Sequence, residues 1–311
     1  IRHSRSQIWP NIVVAMDGSV LATYGRAFGG GEPFDRNRRH VALRRSEDAG
    51  KTWGQEIIIA EPGFQGGGTI VDETSGDILA FVEDQHPPAP LTIHRSKDHG
   101  KTWVAQAGTV VKPDSLGNVP SMHMNEHGIT LRHGEHKGRL LRAARWYAGK
   151  NKSDVYANMY TTAVYSDDGG RTWTTSEPFP ENGTGEAAIA ELSDGRLYYS
   201  SRMHWPERPQ NRRRRSAISH DGGQTWTDFD IVEALPDGQQ GRAEGCLGGL
   251  VRLPIKGKDI LIYSNVDTYT FDRNRVTVWA SFDGGGTWPV KRLVCGGPSG
   301  YSSLAAGRPG T

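Results

Sequence analysis

One cluster in the sequence has residue types that can bind a catalytic metal. His123, Glu126 and His127 form the pattern His-x-x-Glu-His, which binds zinc in some peptidases when a helix brings both imidazoles to one face. Here Gly128 follows at once, and residues 129–132, with the sequence ITLR, are typical of a strand. The helix that this chemistry needs is therefore not predicted, and we expect no metal site.

Two further groups of side chains have simpler explanations. Cys246 and Cys295 are the two cysteines, too few for a disulfide framework or a cysteine-based zinc site, and we expect two buried thiols. Residues 212–215 are four consecutive arginines, and we predict that they lie in a solvated loop. With 37 Lys+Arg and 35 Asp+Glu the net charge is +2, which gives no electrostatic case for binding nucleic acid or a membrane surface.

A repeated turn sequence organises the rest of the chain. The pattern Ser-x-Asp-x-Gly-x-Thr-Trp occurs five times, at residues 46–53, 96–103, 166–173, 219–226 and 281–288. Its Ser and Asp side chains can bond nearby turn amides, and its Gly permits a positive φ. The Trp that follows offers a large apolar face. Each repeat is therefore predicted to be a hairpin turn that packs its Trp into the core between sheets.

The spacing of the repeats predicts an all-β fold. Gly makes up 40 of the 311 residues, which favours many tight turns and short strands. One hairpin in every 50 to 70 residues is typical of a β-propeller. No linker divides the chain, so we predict one domain over residues 1–311. Mean hydropathy is −0.59, and no apolar run approaches the ~18 residues of a membrane span.

Four segments resemble the bacterial sialidases, glycoside hydrolases that are six-bladed β-propellers with Asp-box repeats. They are GITLRHGEHKGRLL at residues 128–141, GEAAIAELSDGRLYYSSR at 185–202, FDRNRVTVWASFDGGGTWPV at 271–290 and PSGYSSLA at 298–305. The likeness runs from about Gln7 to Gly310. It implies a six-bladed β-propeller with Asp-box hairpins, and we expect one further strand after Thr311.

The resemblance implies roles for matching residues in the second half of the chain. Tyr301 corresponds to the nucleophile of the family, and Glu186 corresponds to the base that activates it. Arg202 and Arg273 correspond to two arginines that bind the carboxylate of the substrate, with Arg275 as the alternative to Arg273. The acid/base Asp of the family is expected in residues 25–40, where Asp35 is the best match and Glu32 the second candidate.

Two positions depart from the family pattern. Ile8 stands where the family has the remaining arginine of the carboxylate cluster, and Arg26 or Arg5 is a candidate to supply that cation. Gly66 stands where the family usually has an Asp near the amide group of the substrate. Both changes affect binding of the sugar, so they bear on its identity more than on the type of reaction.

The implied chemistry suits a sugar whose anomeric carbon carries a carboxylate. A carboxylate nucleophile would meet like-charge repulsion there, which a neutral Tyr hydroxyl avoids. Because a phenol is a weak nucleophile near neutral pH, it needs an adjacent base. The planar guanidinium of Arg forms two parallel hydrogen bonds with a carboxylate. The implied function is retaining exo-hydrolysis of an α-ketoside of sialic acid or a related 2-keto-3-deoxy sugar acid, without a cofactor.

The implied partner is a sialoglycoconjugate or another glycan with an acidic sugar. Three alternatives remain open at this point: a propeller glycosidase for a different acidic sugar, a carbohydrate-binding propeller without activity, and a polysaccharide lyase. No signal peptide is visible after Ile1, and the resemblance leads us to expect an extracellular or periplasmic location.

Overall fold

Five β-sheets follow one another along the chain and surround a common axis. The computed structural model describes residues 7–27, 39–149, 153–204, 212–237, 245–268 and 273–307. The strands nearest the axis are β1, β6, β11, β15 and β19, and each contacts the next in this order. This arrangement is the β-propeller that the repeats predict.

The sheets are mostly antiparallel meanders in chain order. The first contains β1 (Gln7–Val14), β2 (Val20–Ala27), β3 (Arg39–Ser46) and β4 (Ile57–Ala60). The second contains β5 (Phe64–Gln65), β6 (Ile70–Val71), β7 (Ile78–Glu83), β8 (Leu91–Ser96) and β9 (Val104–Ala105). The third contains β10 (Val110–Val111), β11 (Ile129–Thr130), β12 (Leu140–Trp146), β13 (Tyr160–Ser166) and β14 (Thr172–Thr175).

The last two sheets have four strands each. The fourth contains β15 (Thr184–Glu191), β16 (Leu197–Met203), β17 (Arg213–Ser219) and β18 (Thr227–Pro236). The fifth contains β19 (Gly249–Arg252), β20 (Leu261–Val266), β21 (Asn274–Ser281) and β22 (Val290–Pro298). A 3₁₀ helix, Ser153–Asn158, joins β12 to β13. Among the described residues, no helix has the length and apolar character needed to cross a membrane.

Each repeated turn joins the last two strands of one meander and has the same hydrogen bonds. In the third repeat, Ser166 Oγ donates to Asp168 Oδ1 at 2.7 Å and accepts from the amide of Gly170 at 2.8 Å. Asp168 Oδ2 accepts from the hydroxyl of Thr172 at 2.7 Å. The other four repeats show the same bonds, so the Ser, Asp, Gly and Thr of the pattern close the turn.

The tryptophans of the repeats differ in burial. Trp173, Trp226 and Trp288 are buried, as the sequence predicts, and Trp103 packs partly against the core. Trp53 is 39% exposed, so the prediction of a core position is wrong for the first repeat. The turn hydrogen bonds of that repeat are nevertheless present.

Apolar side chains fill the interfaces between successive sheets. Alternate residues of a strand point to opposite faces, and β7 shows the result. Ile78 and Ala80 belong to the cluster between the first and second sheets, whereas Leu79 and Phe81 belong to the cluster between the second and third. Similar clusters lie between the third and fourth sheets and between the fourth and fifth.

The residues after β22 close the ring between the fifth and first sheets without joining a ladder. Ser302 Oγ donates to the carbonyl of Ser264 in β20 at 3.1 Å, and Ser303 Oγ accepts from the amide of Ile12 in β1 at 3.0 Å. The prediction of six blades is therefore wrong for the described residues, which form five sheets. The physical reason is that each of the five repeats contributes one sheet, and residues 299–307 bond the ring through side chains and isolated main-chain bonds without forming a strand.

The two tryptophan environments predict unequal contributions to stability. Trp173→Ala should lower the free energy of unfolding by roughly 3–5 kcal/mol, because it removes a fully buried aromatic side chain between two sheets. Trp53→Ala, at the matching position of the first repeat, should cost about 1 kcal/mol or less. Denaturant unfolding of the two variants measures the difference, and equal losses would contradict this account of the repeats.

Candidate active site

Glu186 lies near the axis on the innermost strand of the fourth sheet. A β-bulge interrupts the pairing of β15 with β16 between Thr184 and Ala187, which re-aims the side chain at this point. The carboxyl group of Glu186 is fully buried. A buried carboxylate needs hydrogen-bond donors to be stable, and two neighbours provide them.

The first donor is the phenol of Tyr301. It comes from residues 299–307, which close the ring, and its hydroxyl donates to Glu186 Oε1 at 2.9 Å across 115 positions of sequence. Burial, and after it the negative charge of Glu186, raise the pKa of Tyr301. The phenol is therefore neutral near neutral pH and points its proton at a carboxylate.

The second donor is Arg202 on β16. Its Nη1 donates to Glu186 Oε2 at 2.7 Å, and both side chains are almost fully buried. Burial alone would lower the pKa of Arg202, but Glu186 and the other acidic groups nearby together outweigh it and raise the pKa above the ordinary value. The guanidinium therefore stays charged beside the Glu186–Tyr301 pair.

A second cation, Arg273, lies next to the phenol ring. Its guanidinium carbon is 5.3 Å from the centroid of the Tyr301 ring, within the range of a cation–π contact, and Nη2 donates to the carbonyl of Gly245 at 2.9 Å. Arg275, the alternative to Arg273, has a left-handed backbone with φ of 62° at the start of β21. Of these two, the structure brings Arg273 to the phenol.

A supporting layer beneath Glu186 was not predicted from the sequence. Arg214 on β17 is fully buried, and its Nη2 donates to the carbonyl oxygens of Glu186 and Ser200 at 3.2 and 3.1 Å. Its Nη1 lies 3.5 Å from Oδ1 of Asp237, and Asp237 Oδ2 accepts from the amide of Met203 at 2.5 Å. These bonds hold the two strands that carry Glu186 and Arg202.

The prediction of a solvated loop at residues 212–215 is therefore wrong. Arg212, Arg214 and Arg215 are buried, and β17 begins at Arg213. The available signal was the repeat itself, because the earlier repeats follow a strand and the fourth begins at Ser219. A strand was therefore to be expected before it.

The electrostatic surroundings of the site are positive. Burial, followed by the charge of Arg202 and three other arginines, lowers the pKa of His204 well below its ordinary value. Arg145 on β12 is also buried, and its Nη2 lies 3.1 Å from the sulfur of Met159. Such a site favours an anionic ligand, and its phenol, paired with a base, can act as a nucleophile.

Comparison with known proteins places the chain in a family. The profile of the BNR repeat-like domain matches residues 18–311. A sialidase of Micromonospora viridifaciens is 30% identical over 97% of this chain and 48% of the relative. A sialidase of Bacteroides fragilis is 26% identical over 95% of this chain and 57% of the relative. The chain belongs to the bacterial sialidase family. It spans about half the length of these curated relatives.

Solved structures of sialidases share the fold. A Hadza microbial sialidase superposes with a TM-score of 0.74 at 27% identity, covering 97% of this chain and 61% of that one. An intramolecular trans-sialidase from Ruminococcus gnavus gives a TM-score of 0.75 at 16% identity, covering 99% and 89% of the two chains. The second likeness is one of fold alone.

Of the four remaining candidates for the sialidase site, the structure describes only Arg26. Asp35 and Glu32, the two candidates for the acid/base residue, lie outside the described residues, as does Arg5. Arg26, the other candidate for the missing cation, lies on β2, and its guanidinium is ion-paired with Glu56. A carboxylate-binding role for Arg26 stays a prediction.

The two departures from the sialidase pattern have different structural settings. Ile8 lies in β1, opposite Gly25. Gly66 donates its amide to the carbonyl of Phe81 at 2.8 Å, and a Cβ at Gly66 would lie 2.8 Å from that same oxygen. An Asp therefore has no room at position 66 with this backbone.

The His-x-x-Glu-His pattern does not form a helix. His123, Glu126 and His127 lie in an irregular segment between β10 and β11. Within the described part of the chain, no group of three or more His, Cys, Asp or Glu side chains is arranged to hold a metal ion. Both cysteines are free, but Cys295 is exposed on β22, the outermost strand of its sheet, so the prediction of a buried thiol is correct only for Cys246.

Breaking the buried ion pair between Glu186 and Arg202 should strongly lower the stability of the fold. Glu186→Ala should lower the free energy of unfolding by roughly 3–5 kcal/mol, because it deprives the buried Arg202 of a carboxylate. Glu233→Ala is the control, because Glu233 is 77% exposed in its pair with Arg213, and its loss should stay within about 0.5 kcal/mol. Denaturant unfolding decides, and a small effect of Glu186→Ala would contradict the assigned burial.

Proposed function

We propose that this domain is a retaining exo-glycosidase that hydrolyses the α-ketosidic bond of a terminal sialic acid or a related 2-keto-3-deoxy sugar acid. The single observation that carries the proposal is the 2.9 Å hydrogen bond from Tyr301 to Glu186, two residues that come from distant parts of the chain. The named sialidases among the relatives support the same reaction.

The proposed reaction has two steps. The phenol oxygen of Tyr301 attacks the anomeric carbon while Glu186 accepts the phenolic proton, and Asp35 protonates the departing glycosidic oxygen. Water then attacks the same carbon and gives its proton to Asp35, the tyrosyl oxygen departs, and Glu186 returns a proton to it. Two inversions at one carbon give net retention of configuration.

The charge distribution explains why a phenol suits this substrate. The anomeric carbon of a sialic acid carries a carboxylate, which would repel an anionic nucleophile at short range. The phenol is neutral, and Arg202 offsets the charge of Glu186 at 2.7 Å. Arg273 and Arg202 flank the Glu186–Tyr301 pair, and we assign them to bind the substrate carboxylate.

The remaining parts of the proposal follow from the family. The partner is a sialoglycoconjugate, the catalytic unit is a single domain over residues 1–311, and its compartment is extracellular or periplasmic. The reaction needs no cofactor, because proton transfer, nucleophile and carboxylate binding are all assigned to side chains.

Removal of the nucleophile or of its base should separate binding from turnover. Glu186→Gln should lower kcat on an aryl α-ketoside of sialic acid by roughly 10²- to 10⁴-fold, the usual loss of a general base. Tyr301→Phe should abolish retaining turnover but still bind the substrate. Proton NMR of the first sugar released should show the α anomer from the unaltered protein.

Tyr165→Phe is the control for these variants, because Tyr165 is a half-buried tyrosine whose ring faces Arg139; its activity should be unchanged. Full activity of Tyr301→Phe would refute the proposed nucleophile, and a β anomer released first would refute retention. A product that absorbs through a new C=C bond would indicate a lyase, and binding without turnover would indicate a carbohydrate-binding propeller.

Loss of a binding arginine should act mainly on affinity. Arg273→Met should raise KM for the ketoside by about 10- to 100-fold, because a charge-assisted hydrogen bond contributes roughly 1.5–3 kcal/mol. Arg252→Met is the matched control, since Arg252 ends β19 and pairs with Asp259 at 2.9 Å. Steady-state kinetics on both variants measure the difference, and equal KM values would remove Arg273 from the binding site.

A further inference from the structure

The irregular segment that carries the His-x-x-Glu-His pattern contacts residues close in sequence to each member of the proposed catalytic pair. On one side it bonds β15 next to Glu186. The amide of Ala187 donates to Asn125 Oδ1 at 3.0 Å, and the carbonyl of Ala187 accepts from the amide of Glu126 at 2.9 Å. Both the amide and the carbonyl of Ala187, the residue after Glu186, are therefore hydrogen-bonded to this segment.

On the other side the same segment bonds the residues that follow Tyr301. Ser303 Oγ donates to Glu126 Oε1, which also accepts from Asn11 Nδ2 at 2.8 Å. The imidazole Nε2 of His127 lies 2.8 Å from the carbonyl oxygen of Leu304. Ser303 is therefore hydrogen-bonded to Glu126, and Leu304 is hydrogen-bonded to His127.

These bonds matter because residues 299–307 belong to no sheet. A strand is held by a ladder of main-chain bonds, whereas this segment is held largely by single side-chain bonds. Glu126 is 1% exposed, and in such a dry environment its hydrogen bonds are stronger than they are in water. Glu126 also bonds β1 through Asn11, so three parts of the ring meet at one carboxyl group.

We infer that Glu126 and His127 are positioning residues, which set the distance between Tyr301 and Glu186 by bonding Ser303 and Leu304 on one side and Ala187 on the other. This inference rests on the proposed function for its kinetic consequence, because attack by the phenol requires reacting atoms about 3–3.5 Å apart. A displacement of about 1 Å costs on the order of 100-fold in rate.

The chain offers a closely matched pair of variants. Ser303→Ala removes the hydroxyl of a half-buried residue that donates to the buried Glu126, and Ser121→Ala removes a buried hydroxyl that donates to the buried Glu83 at 2.5 Å. Both variants lose a similar bond, but only the first lies on the segment of Tyr301. A merely structural role predicts similar effects on activity.

We expect Ser303→Ala to lower kcat on the aryl ketoside by roughly tenfold or more, with KM within about twofold, because leaving the buried Glu126 without this donor costs on the order of the 1.36 kcal/mol that corresponds to one decade. Ser121→Ala should retain kcat within about threefold at a similar change in Tm. Equal kcat values for the two variants would overturn the inference.

Glu126 itself provides a rescue test. Glu126→Gln keeps an oxygen that can accept from Ser303 and Asn11, so it should retain most of the activity, whereas Glu126→Ala should lower kcat at least as much as Ser303→Ala. If the Gln variant folds but is as impaired as the Ala variant, acceptance of the hydrogen bond is not the function of Glu126, and the inference fails.

A measurement without turnover separates this inference from the proposed function. Hydrogen exchange of the amides of residues 301–304 should be faster in Ser303→Ala than in Ser121→Ala and the unaltered protein. If the unaltered protein cleaves no ketoside, the proposed function fails, and the exchange rates still decide the positioning role. Equal exchange in the two variants would overturn it whatever the activity.

Discussion

The hydrogen bond between Tyr301 and Glu186 joins two parts of the chain that no local structure brings together. Glu186 comes from the inner strand of the fourth sheet, and Tyr301 comes from the segment after the fifth. The contact depends on the correct rotation of each sheet about the axis. The inter-sheet apolar clusters fix that rotation, because close-packed interfaces tolerate little displacement.

The surroundings of this contact keep a charged pair stable in a dry site. Arg202 neutralises Glu186, and Arg214 bonds the main chain beneath it. Asp237 lies beside Arg214 in turn. Buried charges are costly unless every partner is present, so the reactive pair requires a supporting layer, formed by Arg202 on β16, Arg214 on β17 and Asp237 directly after β18.

Much of the fold was predictable because its signals are local. The repeated turn depends on residues within eight positions of one another, and its hydrogen bonds agree in all five copies. Glu186, Tyr301, Arg202 and Arg273 were assigned by resemblance, and the structure brings these four together, although their catalytic roles remain proposals. The number of sheets, the exposure of Trp53 and the burial of Arg214 depend on long-range packing, which a short pattern does not encode.

The segment of residues 299–307 is both the closure of the ring and the source of the phenol. Because it follows all five sheets in sequence, it is the last part of the site to leave the ribosome. Four inter-sheet interfaces can form during synthesis before any phenol faces Glu186. The order of synthesis thus delays assembly of the reactive pair until the five described sheets have been made, and a nascent chain that ends before residue 301 lacks the pair.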